Sequence, residues 1–381
     1  MAAAVAALIV FWPFAPASRP AAAASARVPA ALDHGRVVIQ AANGDIALAD
    51  PDGTHVTALS ELGSLGQAVI ASPDDRYLLA DNGEPISISS GPRLTPHPSQ
   101  AQVTSSSDAT AEFGPFADHD KDTILLGNYG DPASSVQNPV WVASFATGNA
   151  VSLGIGDEAA GDPQTAGAFV SVAAPPVAST TATQVNPDSE IELRVAGQPP
   201  VVVATAASIN SDLGVENDPV ALLPFPDPVG DKILVAVQPA VQGAFGGLVV
   251  LSRSGQMLGA TAPSQTGGFI GEPTWSPSGN ALAYVDFSPV VEPGGQIKAG
   301  SNLVIWSPGG KLSRTSFQTS SVDRSGGGRC VWSPDGSAVL CSAETQPGRY
   351  TWAVTKIGAR PVTVVPGPGL PVAWLPGEAS R

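Results

Sequence analysis

Trp332-Ser333-Pro334-Asp335-Gly336, followed by the apolar run Val339-Leu340-Cys341, decides how this chain is read. The phrase marks the end of one short strand, a tight turn and the start of the next. Ser and Pro open the turn, Gly takes the backbone position that other residues avoid, and the apolar run resumes the sheet. The phrase returns at Trp275-Ser276-Pro277-Ser278-Gly279 before Leu282-Ala283-Tyr284-Val285, and in part at Ser72-Pro73-Asp74-Asp75 before Tyr77-Leu78-Leu79. So small a unit cannot bury its own apolar face, and its recurrence implies stacked units.

Composition agrees with many short strands. The 381 residues include 41 Gly and 37 Pro, which fall between short runs of Val, Ile, Leu, Trp and Tyr. An all-β closed fold can use that length as one domain, here residues 31–381. No stretch after residue 30 holds a 3.6-residue period for three turns, so no helix is expected, including between residues 155 and 270. The net charge is −15, and the 18 Lys and Arg never cluster, which argues against nucleic acid as a partner.

Residues 1–30 stand apart. Ala2 to Phe14 is almost wholly apolar, and Ala15 to Ala26 is Pro/Ala-rich, ending Ala24-Ser25-Ala26. That is the apolar core and small-residue exit of a secretory signal, although no Lys or Arg precedes Arg19. The segment reads as a signal peptide with an uncharged start, as the outer part of a membrane anchor, or as a disordered tail on a cytoplasmic protein. No Cys near residue 20 supports a lipoprotein anchor.

Taken in order, the chain divides into strand groups. The first is Arg36–Gln40, Asp45–Ala49 and Val56–Leu59, and the second Gln67–Ala71, Tyr77–Ala80, Pro85–Ser89 and the Leu94 region. Glu112–Phe116, Thr123–Gly127, Val140–Phe145 and Val151–Leu153 follow. The next unit is poorly marked, with Gly167–Val172 as its first strand, then Ala182–Val185, Glu190–Arg194 and Val201–Val203. Val220–Leu223, Lys232–Val237, Gly247–Leu251 and Met257–Leu258 form another. The clear units are Pro273–Trp275, Ala281–Val285, Asn302–Trp306 and Leu312, then Cys330–Trp332, Ala338–Cys341, Tyr350–Val354 and Pro361–Val364. Pro289 to Gly300 reads as a Pro/Gly-rich loop. Finally, Pro371–Leu375 is a first strand with nothing behind it, while the N-terminal group lacks a first strand. The two fragments complete one unit, so the expected fold is an all-β, seven-bladed β-propeller of four-stranded antiparallel blades, with six or eight blades as alternatives.

These phrases resemble the repeats of the TolB-like, WD40-like (PD40-type) β-propeller family, in which Trp-Ser-Pro-Asp-Gly precedes an apolar strand and an apolar-Asp-x-x-Gly turn. Trp332 to Gly336 matches the first half and Leu48-Ala49-Asp50-Pro51-Asp52-Gly53 the second. The resemblance implies an extracytoplasmic propeller, secreted or anchored at a bacterial cell surface, that binds a protein, peptide or envelope component. Peptidase members carry a hydrolase domain as well; no Gly-x-Ser-x-Gly elbow occurs here.

Candidate residues follow from these positions. Trp275, Trp332 and Trp374 occupy equivalent first-strand sites and read as packing between blades rather than as a ligand-binding ring. Cys330 and Cys341 fall on consecutive strands where a cross-strand disulfide fits an exported protein; two reduced, buried thiols are the alternative. Asp118, Asp120 and Asp122 alternate, but Lys121 among them opposes a cation, and the segment reads as an acidic turn. His34, His55, His97 and His119 are scattered. Glu292 and Lys298 in the segment Asp286 to Ser301, the Pro/Thr-rich stretch Ala173 to Asp188, and Arg329 after Gly326-Gly327-Gly328 are the candidate binding loops. No catalytic residue, metal ligand or cofactor motif emerges. A monomeric binding module is the expectation, with a propeller enzyme at the channel, or an accessory domain of a longer membrane protein, as alternatives.

Overall fold

The computed structural model describes residues 35–59, 70–71, 77–79, 85–87, 93–94, 111–113, 123–128, 139–144, 150–165, 168–173, 188–195, 197–213, 221–238, 245–264, 267–291, 297–320, 328–346, 348–358 and 362–376. Sheet 1 opens with β1 (Arg36–Gln40), β2 (Ile46–Ala49) and β3 (Thr57–Ala58). Sheet 2 holds β4 (Ile70–Ala71), β5 (Tyr77–Leu79), β6 (Pro85–Ser87) and β7 (Arg93–Leu94). Sheet 3 holds β8 (Ala111–Phe113), β9 (Thr123–Asn128), β10 (Pro139–Ser144) and β11 (Ala150–Ile155). Sheet 4 holds β12 (Asp157–Gly161), β13 (Ala168–Ala173), β14 (Glu190–Val195) and β15 (Val201–Thr205), and is followed by the helix α1 (Ala206–Leu213). Sheet 5 holds β16 (Ala221–Pro226), β17 (Lys232–Gln238), β18 (Gly247–Ser252) and β19 (Met257–Thr261). Sheet 6 holds β20 (Phe269–Ile270), β21 (Thr274–Trp275), β22 (Leu282–Val291), β23 (Ile297–Trp306) and β24 (Leu312–Ser320). Sheet 7 holds β25 (Cys330–Trp332), β26 (Ala338–Gln346), β27 (Arg349–Lys356) and β28 (Thr363–Gly367). The last strand, β29 (Leu370–Leu375), returns to sheet 1.

Each sheet is an antiparallel meander in chain order, except that sheet 1 runs β29-β1-β2-β3. Val37 lies opposite Trp374 and Val38 opposite Ala373, with a bulge before Ile39. Gly35 permits this join: its φ is +99°, and a Cβ there would lie 2.1 Å from the Leu375 carbonyl oxygen. In sheet 6 the first strand is broken into β20 and β21, both paired with β22.

The continuous apolar runs have a simple cause. Side chains alternate across a strand, and both faces of these sheets are covered, so both sets must be apolar. Along β17, Ile233, Val235 and Val237 pack towards sheet 4, while Leu234 and Ala236 pack towards sheet 6. Along β22, Leu282 and Tyr284 face sheet 5, while Ala283, Val285 and Phe287 face sheet 7. Val339 and Cys341 of β26 return that contact, and Ala338 and Leu340 turn to Val37 and Ile39 of sheet 1. Val38 and Ile46 then meet Leu78 of sheet 2. Four-stranded meanders packed face to face in chain order are β-propeller architecture.

Three expectations are corrected. The first strand of sheet 4 is β12, not Gly167–Val172; the residues Ala168–Ala173 form its second strand. Asp157-Glu158-Ala159-Ala160-Gly161 carries no large apolar residue, so no strand pattern shows in it. The stretch Pro289–Gly300 is not mainly a loop, since β22 and β23 pair from Leu282–Trp306 out to Val291–Ile297. A helix does lie between residues 155 and 270. It has only eight residues, short of three turns, and it links sheets rather than replacing a strand. Thr205 and Ser208 cap it reciprocally, each side-chain oxygen 3.2 Å from the other's backbone nitrogen, and Ala206 and Ile209 are buried against sheets 4 and 5. No helix among the described residues is long and apolar enough to cross a membrane. The strand expected at Ala182–Val185 and the acidic turn at Asp118 to Asp122 lie outside the described residues.

Cys330 and Cys341 are disulfide-bonded across the β25–β26 hairpin, where they are directly opposed. The bond closes a loop between residues 11 apart in sequence, and such a loop is worth about 3 kcal/mol through the unfolded chain. The double variant Cys330→Ala/Cys341→Ala is therefore expected to lose about 2–4 kcal/mol in denaturant unfolding while keeping its far-ultraviolet circular dichroism.

Candidate functional site

The recurring turns gather at one end of the sheets, where the first strand meets the second and the third meets the fourth. In the phrase at 333–336, the Gly336 N–H donates to the Ser333 carbonyl at 2.8 Å, and the Ala338 N–H donates to Ser333 Oγ at 2.9 Å. Asp335 accepts from the Ser333 hydroxyl at 2.6 Å and from the Ser337 N–H at 3.0 Å, and these bonds hold its carboxyl below the usual range. Ser276 repeats the arrangement: the Gly279 N–H donates to its carbonyl and the Ala281 N–H to its Oγ. Gly279 and Gly336 have φ of +66° and +67°, which explains the Gly of the phrase.

The same turn recurs at Asp227-Pro228-Val229-Gly230 with Asp in place of Ser. The Gly230 N–H donates to the Asp227 carbonyl and the Lys232 N–H to Asp227 Oδ1, both at 2.9 Å. Asp162-Pro163 begins a longer version between β12 and β13. An Asp at this position brings a buried charge, and the charge must be met. Asp227 is fully buried; Lys232 Nζ lies 3.3 Å from its Oδ2 and also donates to the Gly279 carbonyl of sheet 6 at 3.1 Å. Asp162 of sheet 4 takes a two-pronged contact from Arg253 of sheet 5, at 2.5 and 2.8 Å. Arg253 also donates to the Gly230 carbonyl at 3.0 Å, and the hydrogen bond with Asp162 is the main cause of its raised pKa. These cations therefore join sheets 4, 5 and 6 turn to turn. In sheet 1, Arg36 and His55 both meet Asp50.

A second polar cluster lies between sheets 5 and 6. Asp286 is fully buried, with Arg314 Nε at 3.1 Å and the Ser288 hydroxyl at 3.2 Å from its oxygens, and the Ser264 N–H donates to it at 3.2 Å. Both oxygens are occupied as acceptors, so this carboxylate fixes the chain after β19 onto β22. Beside it, Tyr284 is fully buried, and burial pushes its phenol up to about 12.

A cavity of about 420 Å3 opens on the outer strands of sheet 7. Thr345, Arg349, Tyr350 and Thr351 line one side, and residues 364–367 line the other. Tyr350 is half-buried, and its phenol is raised, first by burial and then by Glu344. Arg349 is exposed. The wall thus offers a guanidinium, an aromatic ring and hydroxyls, a set suited to holding a peptide-like ligand.

The anticipated residues fall as follows. Trp332 and Trp374 are buried in the cores that join sheet 7 to sheets 6 and 1. The Trp275 ring nitrogen donates to the Phe225 carbonyl of sheet 5 at 3.0 Å, and that of Trp332 donates to the Thr274 carbonyl of sheet 6 at 3.2 Å. Arg329 is no free cation: its Nε lies 2.8 Å from Glu272 of sheet 6, and Gly328 beside it is buried. Asp286, at the start of a supposed loop, sits on a strand. Lys298 lies on β23 opposite Val290. Ser72, Pro73, Asp74, Glu292, Gly326, Gly327, residues 174–187, and His34, His97 and His119 lie outside the described residues. The residues that reading missed are Asp162 and Asp227, and the signal was available: Asp-Pro stands where the clear units have Ser-Pro. Among the described residues no group of three His, Cys, Asp or Glu is placed to hold a metal ion.

No protein-family model matches the chain, and no curated protein matches it. Similar solved structures include a putative 6-phosphogluconolactonase from Bacteroides uniformis, at 12% identity over 89% of this chain and 98% of that one, with a TM-score of 0.49. An oligogalacturonate lyase in complex with manganese is 11% identical over 90% and 92% of the two chains, with a TM-score of 0.46. The β-propeller domain of the Trilobed protease from Pyrococcus furiosus is 12% identical over 68% and 72%, with a TM-score of 0.41. None of these three reaches a TM-score of 0.5.

The Tyr284 environment has a measurable consequence. The folded chain keeps this proton to about pH 12, whereas an unfolded tyrosine releases it near pH 10. Stability is therefore full below pH 10 and falls as pH rises towards 12, by about 3 kcal/mol for the two-unit difference. Denaturant unfolding of wild type and Tyr284→Phe between pH 8 and 11.5 is expected to show a steeper alkaline loss in the wild type.

Proposed function

We propose that this chain is a seven-bladed β-propeller of the TolB-like, WD40-like (PD40-type) kind that acts outside the cytoplasm as a non-enzymatic binding module. Its ligand is a protein, peptide or cell-envelope component, and residues 1–30 either direct its export or hold it at the membrane. The observation that carries the binding role is the open cavity on sheet 7, where Arg349 and Tyr350 face the outermost strand. β28, the outermost strand, pairs with β27 alone, and its exposed Val364 and Pro366 border the cavity. The buried carboxylates Asp162, Asp227 and Asp286 support the same reading, since each is engaged in joining sheets. The disulfide supports an oxidising compartment.

The test uses the chain with its N-terminal segment intact, immobilised and exposed to solubilised native envelope. Wild type is expected to retain a specific macromolecule that Arg349→Glu/Tyr350→Ala does not retain. Retention indifferent to those substitutions, or turnover of a small substrate by the purified chain, would contradict the reading.

A further inference from the structure

Two observations about the turn-bearing end of the sheets meet there independently. The first concerns exposed apolar side chains. Val229 sits in the first turn of sheet 5, and Met257 opens its fourth strand; they are 46% and 44% exposed. Val201 and Val202 open the fourth strand of sheet 4, at 56% and 48%. A Cβ on Gly255, two residues before Met257, would touch the Val203 carbonyl, so the sheet 4 and sheet 5 pairs adjoin. Val56 lies in the third turn of sheet 1, Ile357 in the third turn of sheet 7, and Val364 near the start of the strand that follows. All seven exposed large apolar residues among the described residues thus lie at this one end. Single exposed apolar residues are ordinary; here the pairs on sheets 4 and 5 adjoin, and the other three lie at the same end.

The second observation is where the chain enters the fold. Arg36 pairs with Leu375, at the same end, so the chain enters the described fold here, at Gly35. The segment preceding Gly35 holds the apolar run Ala2 to Phe14, with the twenty residues 15–34 between it and the fold.

Charge permits a lipid contact. In these turns and the residues flanking them, the described cations are Arg36, Lys232, Arg253, Lys311 and Lys356. Against them stand Asp50 and Asp52 in sheet 1, Asp162 in sheet 4, Asp227 and Asp231 in sheet 5, and Asp335 in sheet 7. Five cations nearly balance six carboxylates, several of them paired, while the whole chain carries −15. This end therefore carries little of the acidity that would repel a bilayer.

We propose that the turn-bearing end is a bilayer-docking surface, on which Val201, Val202, Val229, Met257 and Ile357 enter the headgroup region once residues 2–14 have engaged the lipid. This rests on the membrane-held form of the reading above. The apolar tips act as a second attachment point, and a single weak anchor gains lasting hold when a second joins it. Docking in this way orients the propeller with its opposite end towards the solvent.

The experiment labels single-cysteine variants of the full chain, Met257→Cys and Ile357→Cys, with an environment-sensitive fluorophore, leaving the native disulfide intact. Gln346→Cys, in the opposite hairpin between β26 and β27, is the control. With vesicles of phosphatidylcholine and phosphatidylethanolamine, emission at 257 and 357 is expected to shift to the blue and to be quenched by lipid-borne quencher, with 346 unchanged. Replacing Val201, Val202, Met257 and Ile357 together by Ser is expected to weaken vesicle binding about tenfold. Bound chains whose labels at 257 and 357 stay in water, or whose label at 346 is shielded equally, would overturn the docking surface and leave the anchor standing. Shielding at 257 and 357 without vesicles would overturn it in favour of a folded-back segment or a second copy. A chain that does not bind vesicles at all would overturn both.

Discussion

The pairing of β29 with β1 is the constraint on which the rest of the structure depends. It joins residues 370–375 to residues 36–40 and gives sheet 1 its first strand. Sheets 1, 5, 6 and 7 each carry apolar cores on both faces, and each such face needs a neighbouring sheet to cover it. Without β29, the core formed by Val37, Ile39, Leu340, Trp352 and Trp374 loses its largest member at the join, and β1 becomes an open edge. Such a contact between distant parts of the chain costs loop-closure entropy before it returns any burial.

Charge is used in the same service. The chain carries 18 Lys and Arg against 33 Asp and Glu, and three of the described cations sit at joints between sheets. Arg253 binds sheet 4 to sheet 5, Lys232 binds sheet 5 to sheet 6, and Arg329 binds sheet 7 to sheet 6. Asp162 and Asp227 are buried, so removing Arg253 or Lys232 leaves an uncompensated charge, and these two joints specify which turn meets which. The Trp275 and Trp332 ring nitrogens act alike, each donating to a carbonyl in the preceding sheet.

Much of this was legible in the sequence because turn chemistry is local. Ser333, Pro334 and Gly336 each have a steric or hydrogen-bonding reason to be where they are, and the apolar run after them announces the next strand. The unit around residues 157–205 was hard to read because its first strand is built from small and acidic residues and its turn begins with Asp162. Asp accepts the same backbone hydrogen bond as Ser, so the turn survives while the phrase changes. The hairpin around 289–300 misled for the opposite reason: Pro and Gly suggest a loop, but β22 and β23 go on pairing through Pro289–Ala299 out to Val291–Ile297. Arg329 looked free because its partner Glu272 is 57 residues away, a distance no local pattern spans. The buried role of Asp286 was hidden likewise, since Arg314 and Ser264 reach it from other strands and connections.

Native-state hydrogen exchange at the join tests the account most directly. The amides of Val38, Ile39, Val372 and Trp374 are expected to open only with global unfolding, sharing the free energy and denaturant dependence of Leu234 and Leu340 in the sheet cores. Exchange at the join through local fraying, with Leu234 and Leu340 still protected, would contradict it.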